Sequence, residues 1–433
     1  MKTRFAPSPT GRLHVGNIRT ALQNYLLAKR HGGQFLLRLD DTDAARSTPE
    51  FAEAIKVDLE RLGMSPDATF RQSDRFARYE EAFDQLKRDG RIYACYETPE
   101  ELELRRKVLL GRGLPPIYER PESENAPVDG VAPHWRFRLD HASAIEWDDG
   151  VRGPQHFEPA KISDPVIRRA DGSWLYMLPS VIDDADHAIS HVVRGEDHVS
   201  NSAVQLQMFD ALGATRPALA HTALIVAAAG KLSKREGAKG LEALDEEGVE
   251  PMALLSVLAR IGTSQPVEPA HDLNALAAGF DLSTFGRAPA RFDWAEVAQV
   301  NARLLHEMDY AEVADRIPEG VDAARWQVLR GNVERLGELE DWVDVFDGEI
   351  AVPALDEEDR AFLEEAAGLA EGIAWDEGAW SALTGELKAR TGRKGKALFL
   401  PLRLALTGRG SGPEMAALLP LIDKKRAVAR LRA

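Results

Sequence analysis

Two segments of this 433-residue chain carry residue types that handle phosphate. The first is Pro7-Ser8-Pro9-Thr10-Gly11-Arg12-Leu13-His14-Val15-Gly16-Asn17, which closes a strand-like stretch and opens a helical one. A turn of that kind lies at the carboxyl edge of a parallel sheet, where ligands bind. The helix start offers unpaired N–H groups and partial positive charge, Gly16 lets a ligand approach the backbone, and His14 can donate to a phosphate oxygen. It is neither a Walker A loop nor a G-x-G-x-x-G fingerprint, since Asn17 follows Gly16 with no Lys-Ser/Thr pair. Read alone, it also fits an ordinary Pro/Gly-rich turn with a surface histidine. The second segment is Lys231-Leu232-Ser233-Lys234-Arg235, three cations in five residues within a loop flanked by Gly230 and Gly237. A lysine pair there can close over a triphosphate and offset charge as pyrophosphate leaves. Read alone, it also fits a solvated basic loop.

These segments need elements to position them. Lys2–Phe5 reads as a strand, and Ile18, Ala21, Leu22, Tyr25, Leu26 and Ala28 recur with a helical period from Asn17 to about Lys29. Gln34–Leu39 reads as the next strand, so the first 40 residues form a βαβ unit of a parallel, doubly wound sheet. Helical patterns follow at 49–62 and 75–90. The stretch 95–185 is rich in Pro and Gly and reads as an inserted α+β subdomain, with a strand over His134–Leu139. Ala188–Val193 reads as a strand, 201–212 as a helix and Ala223–Ala228 as a strand leading into the lysine loop. After about 240 the chain reads as almost wholly helical.

Composition narrows the setting. The chain has 54 basic and 70 acidic residues, a net charge of −16, and 44 % hydrophobic residues. No run approaches the roughly 18 apolar residues of a membrane helix, and the start is broken by prolines, unlike a signal peptide. A lone cysteine, Cys95, excludes an internal disulfide framework and a multi-cysteine zinc site. A reduced, cytoplasmic setting is expected. The charge is uneven: residues 334–386 hold seventeen acidic and two basic residues, whereas 388–433 carry a net +10. The basic stretch includes the apolar run Ala397–Leu406, so it reads as a folded unit with one basic face. Such a face suits a phosphate backbone, and it equally suits neutralisation of the acidic stretch.

Taken together the motifs are far more specific. Pro-Ser-Pro-Thr-Gly-x-x-His-Val-Gly resembles the HIGH motif of class I aminoacyl-tRNA synthetases in its glutamyl form, and Lys231–Arg235 resembles their KMSKS loop. Arg38–Asp43, Arg168–Ser173, Val181–Asp184 and His191–His198 are also similar to glutamyl-tRNA synthetase segments. Gly395–Arg403 resembles the anticodon-binding region of the bacterial enzymes. The resemblance runs almost end to end and is weakest over 310–385.

That resemblance implies a Rossmann-like catalytic domain in two halves, 1–94 and 186–240, around an acceptor-end insertion at 95–185. A helical stem-contact region (241–310) and an α-helical anticodon-binding domain (311–433) follow. It implies glutamyl-adenylate formation from L-glutamate and ATP with Mg²⁺, then transfer to a ribose hydroxyl of tRNA(Glu), with monomer as the family default. His14, Gly16, Asn17, Lys231 and Lys234 would hold ATP, and His14, Lys231 and Lys234 would stabilise the transition state. Arg4, Ala6, Ser8, Asp40, Tyr176, Ser180 and Arg194 would hold glutamate, the arginines as carboxylate forks. Lys396 and Arg403 would contact tRNA.

Three departures from the family pattern stand out. Asp40 replaces the commoner glutamate, pulling the anion back by about 1.5 Å. Ser180 stands where some members have asparagine. Some members bind zinc in the insertion; with Cys95 alone, no zinc is expected here. His187 and His191 lie near Asp183, Asp184 and Asp186 without being expected to converge on a metal. The alternatives are an enzyme that also glutamylates tRNA(Gln) and a non-catalytic RNA-binding relative. Glutaminyl-tRNA synthetase, whose anticodon part is largely β-barrel, fits the helical C-terminal reading less well. A shortened paralogue lacks that part, and the basic, apolar C-terminal unit argues against it.

Overall fold

The computed structural model describes residues 1–121, 128, 130–227 and 241–432. They form two compact units, Met1–Asp245 with Leu254–Trp294, and Glu246–Ala253 with Ala295–Ala433. The lysine loop at 231–235 lies outside the described residues.

In the first unit, β1 (Lys2–Phe5), β2 (Gln34–Leu39) and β3 (Ala68–Arg71) form a parallel sheet. Helices α1 (Val15–Arg30) and α2 (Pro49–Arg61) make its crossovers. β2 is near-continuously apolar because both of its faces are covered: Phe35, Leu37 and Leu39 are fully buried and Leu36 nearly so. Each such side chain contributes roughly 1.5–3 kcal/mol. Helix α3 (Phe76–Arg88) then leads to β4 (Ile92–Cys95) and α4 (Pro99–Gly111). The inserted region contains β5 (His134–Phe137), which pairs antiparallel with β4 and β8 (Val166–Arg168), and a hairpin of β6 (Ile145–Asp149) and β7 (Gly153–Phe157).

Helix α5 (Met177–Asp186) returns the chain to the parallel layer at β9 (His191–Gly195). After α6 (Val199–Ala211) comes β10 (Ala218–Thr222), parallel to β9. β9 lies beside β1, where the Ser190 amide donates to the Lys2 carbonyl at 2.9 Å. The strands therefore run 3-2-1-9-10, and the order reverses between β1 and β9. That reversal is the place where doubly wound sheets bind ligands.

The sequence reading differs from this in places, β3 and β4 among the strands it does not contain. The strand read at Ala188–Val193 begins at His191, because Ala188 adopts a left-handed turn (φ 52°) after α5. The strand read at Ala223–Ala228 is β11 (Ile225–Ala227), and β10 before it was missed, since His221 and Thr222 are buried polar residues that interrupt the apolar pattern. The region after 240 is almost wholly helical, as read; β12 (Ala290–Phe292), which pairs with β11, is the exception among the described residues.

Helices α7 (Glu242–Glu247), α8 (Pro251–Arg260), α9 (Leu273–Ala278) and α10 (Trp294–Glu307) follow the catalytic layer. The second unit continues with α11 (Tyr310–Val313), α12 (Ala323–Leu329), α13 (Leu339–Asp347), α14 (Glu357–Gly372), α15 (Ala379–Thr391), α16 (Lys396–Thr407), α17 (Met415–Leu418) and α18 (Lys424–Leu431). Trp326, Trp342, Phe346, Leu383 and Leu402 fill its core.

Candidate active site

A cleft of about 550 Å³ opens at the β1/β9 reversal. Arg4, Ala6, Ser8, His14, Gly16, Asn17, Asp40, Tyr176 and Arg194 all line it. Residues up to 190 positions apart in the chain thus share one wall, because β1 and β9 are neighbours. Lys231 and Lys234 lie outside the described residues. Ser180 is placed differently from the expectation: it is fully buried and off the wall, and its hydroxyl and carbonyl accept from Arg38 at 2.8 and 3.2 Å. It can act on a ligand only through Arg38.

His14 is the N-cap of α1. Its Nδ1 accepts from the Gly16 amide at 3.1 Å, and Asn17 Oδ1 accepts from the His14 amide. Partial desolvation holds the imidazole below the ordinary histidine value, so at neutral pH the ring is uncharged. With Nδ1 occupied as acceptor, Nε2 carries the proton and can donate into the cleft. Glycine at position 16 gives the cap room: a Cβ there would meet the His14 ring at 3.0 Å and push it by a few tenths of an ångström.

Behind the wall sits a buried charge cluster. Arg38, fully buried, donates from Nε to Asp40 and from a terminal nitrogen to Asp184, both at 2.6 Å. Burial acts to discharge this guanidinium, and Asp40, Asp184 and Asp183 outweigh it, so it stays charged. Arg4 reaches Asp184 through Nε at 3.2 Å. Burial pushes the Asp40 carboxyl up to about 6, against the pull of Arg38 and Arg4. Asp183 is taken up by Gln72, Arg75 and Tyr79.

Arg194 is different. It is buried, and its terminal nitrogens meet only neutral acceptors: Tyr176 Oη at 2.7 Å, Ser202 Oγ and Gln205 Oε1 at 2.6 Å each. Its Nε has no partner, and no carboxylate among the described residues comes within ion-pair distance. Burial pulls its pKa below the ordinary guanidinium value. A charged fork facing a cleft without a counter-ion calls for an anionic ligand. The sequence flagged Arg194 but gave no signal for Ser202 or Gln205, which lie on a helix face, or for Arg38 and Asp184, which were inside noted motifs without an assigned role.

The histidine–aspartate group at 183–191 does not converge on a metal. His187 stacks on Phe70, His191 Nδ1 meets Ser190 Oγ, and Asp183, Asp184 and Asp186 meet arginines. A different set does converge: ligand atoms of Cys95, Glu97 and His134 lie within 4.8 Å of one another. The Tyr118 hydroxyl sits against Cys95 at 3.4 Å and donates to Glu97 at 2.9 Å.

The catalytic-domain model for "tRNA synthetases class I (E and Q)" matches residues 1–276, and an anticodon-binding-domain model matches 296–433. The chain belongs to the class I glutamyl/glutaminyl synthetase family. It is 60 % identical to glutamate–tRNA ligase 2 of Sphingopyxis alaskensis, covering 99 % of this chain and 98 % of the relative. It is 61 % identical to glutamate–tRNA ligase 1 of Rhizorhabdus wittichii, covering 100 % and 99 %. A crystal structure of a glutamate–tRNA ligase from Elizabethkingia meningosepticum, solved with its amino acid, superposes with a TM-score of 0.85 at 26 % identity and covers 100 % of this chain and 98 % of that one. Class, fold and kind of activity thus agree with the expectation drawn from the motifs.

Replacing His14 by Ala should destabilise the fold by about 1 kcal/mol through loss of the cap and raise the KM for ATP. His14→Asn, which restores a capping oxygen, should recover Tm and leave that KM high. Thermal melts and ATP titrations of both variants check the split. For Asp40, the raised carboxyl binds its proton as pH falls through about 6 and loses its pull on an ammonium. The glutamate KM of Asp40→Asn, divided by that of wild type, should be constant above pH 7 and fall toward one below pH 6. A ratio independent of pH between 5 and 8 would separate Asp40 from the amino group.

Proposed function

We propose that this chain ligates L-glutamate to tRNA in two steps within the β1/β9 cleft. The observation that carries the reading is Arg194, a buried guanidinium on the cleft wall held only by neutral acceptors. Glutamate brings two carboxylates and one ammonium. Arg194 lies buried while His14 is exposed at the α1 start, so the side-chain carboxylate goes to Arg194 and the α-carboxylate points toward ATP. Arg4 adds a second cation, and Asp40 with Ser8 receives the ammonium.

ATP lies with its phosphates at the α1 N-terminus, taken by His14 Nε2–H and the backbone around Gly16 and Asn17. Mg²⁺ enters on the triphosphate as part of the substrate. A glutamate α-carboxylate oxygen attacks the α-phosphorus, the bond to the β-phosphate breaks, and pyrophosphate leaves. The Lys231/Lys234 loop, which follows β11, supplies charge to the leaving group. A terminal ribose hydroxyl of tRNA then attacks the adenylate carbonyl and displaces AMP. No side-chain nucleophile is needed; catalysis is alignment and charge stabilisation.

The insertion at 95–185 receives the acceptor end of tRNA, and the C-terminal helices receive the anticodon. Most of the basic segment is already engaged: Arg393 meets Glu358, Arg409 meets Asp341 and Arg432 meets Glu371. Arg403, half-buried, donates to the Pro413 carbonyl at 2.7 Å and serves the fold first. Lys396 is exposed at the start of α16 and has no partner among the described residues, so it is the better RNA contact of the two. Zinc is not part of this reading. Burial favours the protonated Cys95 thiol, and the Tyr118 hydroxyl already bridges Cys95 and Glu97. A single protomer in the cytoplasm, charging tRNA(Glu), completes the proposal.

Purified protein with ATP, Mg²⁺, labelled glutamate and tRNA(Glu) should form acid-precipitable glutamyl-tRNA. Absence of charging with tRNA that a known enzyme accepts would overturn the reading. Parallel transcripts of tRNA(Glu) and tRNA(Gln) decide between charging of the first alone and charging of both. Lys396→Glu should weaken tRNA binding and lower the log–log salt slope by about one, whereas Arg403→Glu should act mainly on Tm.

A further inference from the structure

Arg194 has no carboxylate at contact, yet a chain of polar groups leads from it to one. Ser202 Oγ, which accepts from Arg194, lies 2.7 Å from His221 Nε2, and His221 Nδ1 lies 2.5 Å from Asp149 Oδ2. Ser202 and His221 are fully buried and Asp149 nearly so. The three come from α6, β10 and the end of β6. Ser202, His221 and Asp149 have the connectivity of a hydrolase triad, but the hydroxyl is sealed from the cleft and already carries a guanidinium, so it attacks nothing.

The proton positions follow from the ends of the chain. Asp149 is anchored as a carboxylate: its Oδ1 accepts the amides of Val151, Arg152 and His221 at 2.9–3.1 Å. Hydrogen bonds to His221 and these amides outweigh burial and hold it well below the usual carboxylate range. Burial lowers His221, so its ring is neutral. A neutral ring facing a carboxylate keeps its proton on Nδ1, which leaves Nε2 as an acceptor. The Ser202 hydroxyl therefore donates to Nε2 at 2.7 Å in preference to the His198 carbonyl at 3.2 Å. The lone pairs of Ser202 then face Arg194. Every donor in the series points the same way, from Arg194 toward Asp149.

We propose that Asp149 and His221 are positioning residues that act through Ser202 to hold Arg194 as a carboxylate receptor, with Asp149 as its displaced counter-ion. A carboxylate in direct contact would stabilise a buried guanidinium and also fill the fork that the substrate needs. Setting the negative charge two neutral groups away keeps Arg194 oriented and partly compensated while its cleft-facing edge stays open. The inference rests on the glutamate reading of the cleft. It adds that specificity for a carboxylate depends on a residue of the inserted hairpin that never meets the substrate.

The test is steady-state charging of tRNA(Glu) with wild type, Asp149→Asn, Ser202→Ala, Ser202→Thr and the Asp149→Asn/Ser202→Ala double variant. An Asn at 149 presents an amide donor to Nδ1 and favours the other tautomer, which turns Nε2 into a donor and reverses the series. Asp149→Asn and Ser202→Ala should each raise the glutamate KM tenfold or more, with kcat and the KM for ATP within twofold of wild type. Ser202→Thr, which keeps the hydroxyl, should stay within threefold. The double variant should be no worse than the poorer single one, since both cut the same series. Should Asp149→Asn fail to fold, the Ser202→Ala and Ser202→Thr pair carries the test. Loss of Tm with an unchanged glutamate KM, or KM effects that multiply in the double variant, would reduce these residues to structural ones and overturn the inference. A wild type that forms no glutamyl-tRNA would overturn the functional reading itself, and the inference with it.

Discussion

Arg194 carries a charge that the protein withdraws from water without neutralising it at contact. That single choice constrains the cleft around it. A buried, hydrogen-bonded cation without a counter-ion is costly unless its orientation is fixed and its donors are mostly met. Tyr176, Ser202 and Gln205 meet them, from the start of α5 and from two turns of α6. Those helices must therefore keep their places against β9, and the apolar contacts of α5 and α6 through Leu178, Ile182, Val204 and Met208 supply the means. Arg38 shows the opposite solution only a strand away. It is as deeply buried, but Asp40 and Asp184 neutralise it, so it builds the wall and leaves nothing for a ligand. Burial is common to both arginines. The local counter-charge separates scaffold from receptor.

The parallel sheet is what makes this affordable. β1 and β9 run side by side with their carboxyl ends together, so Arg4 and Arg194, 190 residues apart, share one wall without any long side chain having to stretch. The same reversal places the N-terminus of α1 at the rim, where its free amides and His14 suit phosphate. An amino acid and a triphosphate can then meet at the junction with no group acting as nucleophile. The hairpin of β6 and β7 is tied to this junction as well: Asp149 takes the His221 amide and ring, and the Gly150 amide donates to the Leu219 carbonyl at 2.8 Å. An inserted subdomain is thereby coupled to the sheet that it interrupts.

What could be read from the sequence follows from how far each feature reaches along the chain. β1 and β2 are read with the bounds they have, because each is short and set off by Pro or Gly, and β2 adds a buried apolar run. β10 was invisible, since Ala218–Thr222 ends in His221 and Thr222, which look like loop residues and are buried only because Asp149 and Gln23 bond to them. The cleft residues could be found through motifs. Their partners could not: Ser202 and Gln205 on α6 carry no period or spacing that separates them from other polar helix residues. Ser180 was misplaced for a related reason. A motif position says which side chains are near a site, and a neighbour such as Arg38 decides whether the hydroxyl faces the ligand or the wall.

The C-terminal unit bears on a question that net charge left open. Of the two readings of its basic segment, neutralisation accounts for the arginines. Arg390, Arg393, Arg409 and Arg432 meet carboxylates, and Arg403, Arg426 and Arg430 meet backbone carbonyls. Four of the five lysines behave otherwise: Lys388, Lys394, Lys396 and Lys425 are exposed, with no partner among the described residues, while Lys424 donates to the Glu371 and Ile373 carbonyls. The division has a physical origin. A guanidinium is weakly hydrated and presents a planar fork, so it settles into fixed contacts within the fold, whereas an ammonium is strongly hydrated and stays in water. The positive charge left on the surface is thus lysine charge, mobile and non-directional. Such charge suits the phosphate backbone of RNA and not the edges of its bases. In a chain with a net charge of −16, cations thus stay free at these positions because the neighbouring carboxylates pair with arginines.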